Sequence, residues 1–418
     1  MEKLTKDYDR FRFKVRLKRH EKKLTLRELA TLTNLSHSML TRIEQGLMKP
    51  TDETMTTLSK VLDFKRQYCL ECETSFDTKF NKIYEDILYA RIEPTHPFAE
   101  ELYENQDIYL NCDCFHRYYL IMFMYTQHLR RYKEFQDEFY QKLLLLEELF
   151  EGRDKELLYI EYAAYFINKG DRVTSIKYLD QYETFGKDQH LMAFNHQIRG
   201  IIFAENFYDY KQSLKRFELS SNTFQKLYNF TRLMQAKIMT QRILIYMNRF
   251  DDFLESYKYT YHYADINNKP FLLERAKQNM TRYHLAHRNY AEALKILNTY
   301  KSEKGEYYCF KAYALFQQKY GVEALHVIQQ AKTDQFDDRY GHLWLAMDAI
   351  EYALTHSRDD EYLSRLKKFA DSTFNQADFM LVKMATRLYT EALEEKRLYK
   401  EAYIYADKLL QAMKEIMK

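Results

Sequence analysis

Chain breakers are scarce in this sequence. Of 418 residues only 8 are glycine and 4 are proline. A fold rich in β-turns needs many more of both, so an all-β architecture is excluded and long helices joined by short polar loops are expected. Long apolar runs are missing too. No stretch approaches the roughly 18 consecutive apolar residues of a membrane span, and the opening "MEKLTKDYDRFRFK" offers no apolar run to serve as a secretory signal. The expected location is therefore the cytoplasm, without a membrane partner. The usual catalytic signatures are absent as well: there is no glycine-rich phosphate loop, no HExxH and no nucleophile elbow. Histidines and carboxylates are scattered without a repeated spacing, and no enzyme is expected. Cysteines number five: Cys69, Cys72, Cys112, Cys114 and Cys309. A CxxC and a CxC with His96 and His116 nearby raise a zinc site. No turn glycine accompanies either pair and the flanks read as helix, so reduced thiols are expected, with no metal and no cofactor.

What is present points to more than one body. A chain this long exceeds what a single core supports, which implies domains or a repeat array. Charge is unevenly placed. Residues 1–68 hold 16 Lys and Arg against 9 Asp and Glu, a net +7, while the rest holds 48 against 52, a net −4. A small basic unit ahead of a large, mildly acidic one is the asymmetry expected when only the first part meets a polyanion. The 38 Tyr and 28 Phe suit gaps between helices, where aromatic rings bury large areas.

The basic part reads as four helices. Residues 8–22 carry Phe11, Val15 and Leu17 between basic side chains. Thr25 is an N-cap with Glu28 as its capping-box partner, opening a helix over Leu26–Thr33. Ser36 caps a third helix, which stops at Gly46, a residue suited to a left-handed C-terminal position. Pro50 and Thr51 introduce a fourth, with Met55, Leu58, Val61 and Leu62 on one face. Two short helices joined by "TNLS" and wedged between two others have the layout of a helix-turn-helix. From Leu17 to Leu62 the chain resembles the Xre/Cro-repressor family, on Leu24-Thr25, Glu28-Leu29-Ala30, Leu35-Ser36, Ile43-Glu44, Gly46, Pro50 and Leu58. The resemblance implies a five-helix domain over residues 1–66 whose third helix enters the major groove of double-stranded operator DNA. It also implies an internal pair between Glu44 and a first-helix arginine, for which Arg19 is chosen. Ser36 then offers its hydroxyl and the free N–H groups of the helix start to a phosphate. His37, Ser38, Thr41 and Arg42 occupy the polar face toward base edges, and Lys49 is placed for a backbone phosphate. The family usually carries Gln where this chain has Leu26, so a different footprint is expected.

Beyond residue 115 an aromatic-x-x-small-apolar phrase recurs. It centres on Ser175, Ser213, Phe253, Ala293, Ala324 and Ala402, at separations of 38, 40, 40, 31 and 78 residues. The last spans two units, the weaker one around Leu363. Each unit is a helix, a polar turn and a second helix that opens with the phrase. Such units resemble tetratricopeptide repeats, somewhat longer than the usual 34 residues, and imply an all-α, right-handed α-solenoid with a concave surface lined by first helices. Residues 67–114, holding Pro94 and Pro97, form a linker of docking helices, and 115–418 the repeat domain.

A Cro-like domain followed by such repeats is similar to the RRNPP family of peptide-pheromone receptors. That resemblance implies a transcription regulator whose concave surface binds a short signalling peptide, of the quorum-sensing type. With the small residue of each unit set at position 20, positions 2, 5, 6, 9, 12 and 13 face inward. They include Asn195, Arg199 and Asn206; then Gln235, Arg242 and Tyr246; then Arg275, Gln278, Asn279 and Arg282; then Tyr313 and Gln317. Amides on consecutive helices suit a peptide backbone, and arginine a carboxylate. The peptide-binding set is thus Asn195, Arg199, Asn206, Gln235, Arg242, Gln278, Asn279, Arg282 and Tyr313. The last helix, Lys400 to Met417, caps the array or pairs with a second subunit, and Cro-like domains reading two half-sites imply a homodimer. An alternative remains: repeats that bind a partner protein or another small ligand.

Overall fold

Every element among the described residues is helical. The computed structural model describes residues 2–65, 70–91, 96–129, 133–206, 209–302, 304–334, 336, 341–356, 358–374 and 379–417. They divide into two compact units, Met1–Asn195 and His196–Lys418.

The first unit opens with α1 (Glu2–Glu21), α2 (Leu26–Thr33), α3 (His37–Glu44) and α4 (Asp52–Leu62). Local chemistry sets these ends. Thr25 accepts from the Glu28 amide while the Glu28 carboxylate accepts from the Thr25 amide, a complete capping box. The hydroxyls of Ser36 and Thr51 cap α3 and α4. Gly46 sits at φ +75°, and a Cβ there would press on the Arg12 guanidinium. Phe11, Val15, Leu29, Leu40, Ile43, Met55, Leu58, Leu62 and Phe64 form the core between the four helices.

After α5 (Leu70–Leu88), α6 (Pro97–Glu104) and α7 (Gln106–Asn111) come α8 (Phe115–Leu129) and α9 (Gln136–Leu146), then the first helix pair, α10 (Gly152–Asn168) and α11 (Arg172–Glu183). The second face of α1 packs on this group. Arg10 pairs with Asp113 at 3.0 Å, the Lys14 ammonium donates to the Asn111 carbonyl at 2.8 Å, and Glu21 accepts from Tyr119 and pairs with Lys142. Burial lowers the Lys14 ammonium to about 8 even with Asp113 beside it. Cys112 and Cys114 are buried in the same contact, and burial pushes the Cys114 thiol up. Cys69 lies outside the described residues. No group of ligands that could hold a metal ion occurs among those described.

In the second unit the pairs continue: α12 (Gln189–Asn206) with α13 (Tyr210–Lys226), α14 (Phe230–Tyr246) with α15 (Phe250–Ile266), and α16 (Pro270–Ala286) with α17 (Tyr290–Leu297). Then follow α18 (Gly305–Gln317) with α19 (Gly321–Asp334), α20 (His342–Thr355) with α21 (Asp360–Thr373), and α22 (Phe379–Glu395) with α23 (Tyr399–Met417). The residues at the centre of the recurring phrase, small ones and the Phe253 ring, mark where paired helices touch. Ser213, Phe253, Ala293, Ala324 and Ala402 are all buried, and the Ser213 hydroxyl donates to the Gly200 carbonyl at 2.8 Å. In the first unit Ser175 does the same to Ala163.

The forty-residue period has a simple origin. Helices α13 to α16 each run 17 residues, and three-residue turns place left-handed residues at Tyr228, Asn248, Asn268 and Arg288. Glycine would relieve the Cβ strain of that conformation. Its scarcity follows from tyrosine, arginine and lysine standing where a glycine is usual. Lys319, exposed at φ +64°, tests this point. Lys319→Gly is expected to stabilise the second unit by about 1 kcal/mol, raising its melting temperature by about 2–4 °C. Lys319→Ala should leave it unchanged.

The last pair turns back on the earlier ones. The Phe379 ring meets Tyr246 edge-on at 6.0 Å, Lys383 donates to Asn248 at 3.4 Å, and the Arg387 guanidinium bonds the Tyr290 hydroxyl. No helix among the described residues is long and apolar enough to cross a membrane.

Candidate functional site

Two groups of side chains stand apart from packing. The first is on α3. Leu40 and Ile43 are buried while Ser36, His37, Ser38 and Arg42 are exposed, and Lys49 is exposed in the loop beyond Gly46. Thr41 is half-buried, its hydroxyl donating to the His37 carbonyl at 2.9 Å. The Ser36 oxygen accepts from the Met39 amide at 3.1 Å, so its own hydrogen is left for an incoming oxygen. Among the described residues no ion pair holds Arg42 or Lys49. This face therefore presents donors and positive charge at a helix N-terminus, the chemistry that meets phosphates and base edges.

The helix is held from behind. Arg19 grips Glu44 through two parallel bonds, Nε to Oε1 at 2.7 Å and Nη2 to Oε2 at 2.8 Å, and also donates to the Leu24 carbonyl. The expected partner of Glu44 is thus the observed one. Leu26, where the related domains carry Gln, packs against the core, while the adjacent Arg27 is exposed. The sequence reading named no role for Arg27; its position one residue after the departure was the available signal.

The second group lies on α14, α16 and α18. Arg282, with a side chain only 4 % exposed, pairs with Glu306 at 2.7 Å, and Arg242 pairs with Glu205 at 3.3 Å. Burial raises the Glu306 carboxyl, but Arg282, Arg242 and Arg275 outweigh it and hold that group below the usual carboxylate range. Arg275 bonds Gln278 at 3.3 Å, Gln278 donates to Glu274 at 2.9 Å, and Lys304 pairs with Glu274 at 3.4 Å. In this set Arg242, Arg275, Arg282 and Lys304 lie among Glu205, Glu274 and Glu306. A guanidinium on these helices has the planar fork that takes a carboxylate bidentately.

The other expected residues are placed differently. Asn279 is buried, and its amide donates to the Ile238 carbonyl at 2.9 Å and to Gln241 at 3.2 Å. Those bonds fasten α16 to α14 and leave the amide committed to the wall. Gln235 accepts from Arg232 at 2.8 Å, and Arg199 is buried on α12. Tyr313 is buried with its hydroxyl 3.5 Å from that of Tyr290. Asn195 belongs to the first unit, where it donates to Glu183 at 3.4 Å. The side chain of Asn206 lies outside the described residues. The acidic partners escaped the sequence reading, although Glu205 and Glu306 occupy its inward positions 12 and 2.

These features define a class: a helix-turn-helix DNA-binding domain carried by a chain of α-helix pairs with an arginine-rich inner cluster. Residues 15–68 match the helix-turn-helix family. Two solved structures share the wider fold. The apo form of the quorum sensor NprR from B. thuringiensis superposes with a TM-score of 0.56 at 14 % identity, covering 82 % of this chain and 99 % of that one. The apo form of RapI gives 0.52 at 14 % identity, covering 81 % and 98 %. No curated protein matches the sequence.

Proposed function

We propose that this chain is a transcription regulator whose helix-pair array binds a short signalling peptide, and that binding changes its affinity for operator DNA. The observation that carries the reading is the cationic cluster on consecutive first helices, in a chain whose recognition face is polar and exposed. The shared fold with a protein described as a quorum sensor supports it. Residues 1–66 read DNA, 67–114 dock them, and 115–418 bind the ligand and dimerise. Arg242, Arg275 and Arg282 take a peptide carboxylate, Gln278 an adjacent amide, and Asn279 holds their helices in register. Occupancy shifts operator affinity by the peptide's differential affinity for two conformations of the protein. The protein works in the cytoplasm as a homodimer that spans two half-sites about one helical turn apart. Leu398, Tyr399, Tyr403, Ile404 and Leu410 are exposed at the start and along α23 and supply an apolar face for the second subunit.

The experiment is an operator-binding titration on the protein's own promoter DNA. His37→Ala and Arg42→Ala, which lose base-edge contacts worth about 1–3 kcal/mol, should each reduce specific affinity by about 5–150-fold. Lys49→Ala, losing a phosphate contact, should weaken all sequences alike and flatten the salt slope by about 1. Full binding by the His37 and Arg42 variants removes α3 from the interface.

A further inference from the structure

A cavity of about 460 Å³ opens where the last helix pair meets the ends of α14 and α16. Its volume falls within the range of small-molecule sites, about 300–1,000 Å³. Most of the wall is apolar and deformable, with Phe250, Leu285, Met380, Met384, Leu409 and Met413 contributing. Methionine side chains adapt to irregular aliphatic shapes. The polar part of the wall is one-sided. Lys383, Arg387 and Arg288 line the cavity and no carboxylate does.

The three cations differ, and Arg288 is exposed. Arg387 is paired with Glu391 at 2.7 Å and bonded to Tyr290. Lys383 is half-buried, and among the described residues no carboxylate pairs with it; its one bond is to Asn248 at 3.4 Å. Burial accordingly holds its ammonium below the usual lysine range. Thr386, one helical turn from Lys383 and also in the wall, is 2 % exposed, with a hydroxyl that finds no partner. A buried, partnerless hydroxyl beside an uncompensated ammonium is costly in an empty cavity and is relieved by an acceptor oxygen that bears charge.

We infer that this cavity is a second ligand site, distinct from the arginine cluster on α14, α16 and α18, and that it takes an organic carboxylate on an aliphatic body. The carboxylate lies between Lys383 and Thr386 and the chain lies among the methionines. A small phosphate ester is the poorer fit, because it would leave the apolar part of the wall, with its three methionines, unfilled. The same chemistry arrives from two sources, a free aliphatic acid or the carboxyl end of a peptide with an apolar last residue.

The test is calorimetric titration of the full chain with decanoate, and with 1-decanol as the uncharged isostere. Decanoate should bind at least tenfold tighter than decanol. Lys383→Met should erase that preference while leaving decanol binding in place, and Met384→Trp, which fills the cavity, should abolish both. Displacement of decanoate by a leucine-ended peptide with a free carboxylate, and not by its amide, supports the site and names the peptide end as its natural source. No displacement supports it with a free acid as the source. Equal binding of decanoate and decanol, no binding of either, or an unchanged preference in Lys383→Met overturns it. Neither outcome bears on peptide capture by Arg242 and Arg275, which is read separately with variants of those residues.

Discussion

Glu44→Ala is expected to destabilise the helix-turn-helix by about 3–5 kcal/mol, the usual cost of removing one partner from a buried ion pair. The side chains of Arg19 and Glu44 are only 11 % and 9 % exposed, and their two bonds form a parallel fork. Removing the carboxylate leaves a guanidinium in the core with the Leu24 carbonyl and the neutral His20 ring as its neighbours among the described residues. Because Glu44 is the last residue of α3 and Arg19 lies near the end of α1, the loss also frees the recognition helix from its support. Denaturant unfolding followed by hydrogen exchange in peptides from α1 and α3 reads the change directly. The paired substitution Arg19→Met with Glu44→Leu should recover most of the stability, since apolar residues can replace a buried pair at little cost. Equal destabilisation by the single and the paired variants would contradict this account of the fork.

The largest functional effect is expected from Arg242→Ala combined with Arg275→Ala. Charge-assisted hydrogen bonds are worth about 1.5–3 kcal/mol each, so the pair should lose about a hundredfold or more in affinity for a carboxylate-bearing peptide. Arg282→Ala is a poorer probe, because it also leaves Glu306 without its direct partner at 2.7 Å. Arg242 is more accessible and is held by Glu205 at 3.3 Å. Arg242→Lys should rescue little, because an ammonium cannot reproduce the planar fork. Amidating the peptide's acidic groups should mimic the double variant, and loss of binding in one but not the other would separate carboxylate recognition from wall packing.

The sequence made different parts of this molecule legible for different physical reasons. Helix caps are local: Thr25 with Glu28, Ser36 and Thr51 act within three residues, and each was readable from spacing alone. The helix-pair ruler was readable because close approach of two helices admits only a small residue, or one buried ring at Phe253. The left-handed caps at Tyr228, Arg288, Lys319 and Arg397 were not, because the usual signal is glycine or asparagine. Asn279 was read as an inward-facing amide, but it is buried and its partner is the Ile238 carbonyl 41 residues earlier. No spacing rule anticipates a backbone acceptor on a neighbouring helix. The acidic members of the cluster sit at inward positions, but a carboxylate does not donate to a peptide carbonyl, so the chemistry of amides and guanidiniums does not single them out. The return of α22 onto α14 and α16, which creates the Lys383 cavity, joins residues 97 and 135 apart and leaves no periodic trace.

The central claim is that occupancy of the arginine cluster and binding of operator DNA are coupled. The direct measurement is a reciprocal pair of titrations, operator affinity with and without peptide and peptide affinity with and without operator. The peptide for both titrations is a synthetic one that binds the unaltered protein. Linkage requires both experiments to return one factor, expected at about 5–150-fold, and the Arg242→Ala, Arg275→Ala protein should bind operator normally while losing the response to peptide. A factor of one in both directions, with the peptide demonstrably bound, would contradict the account.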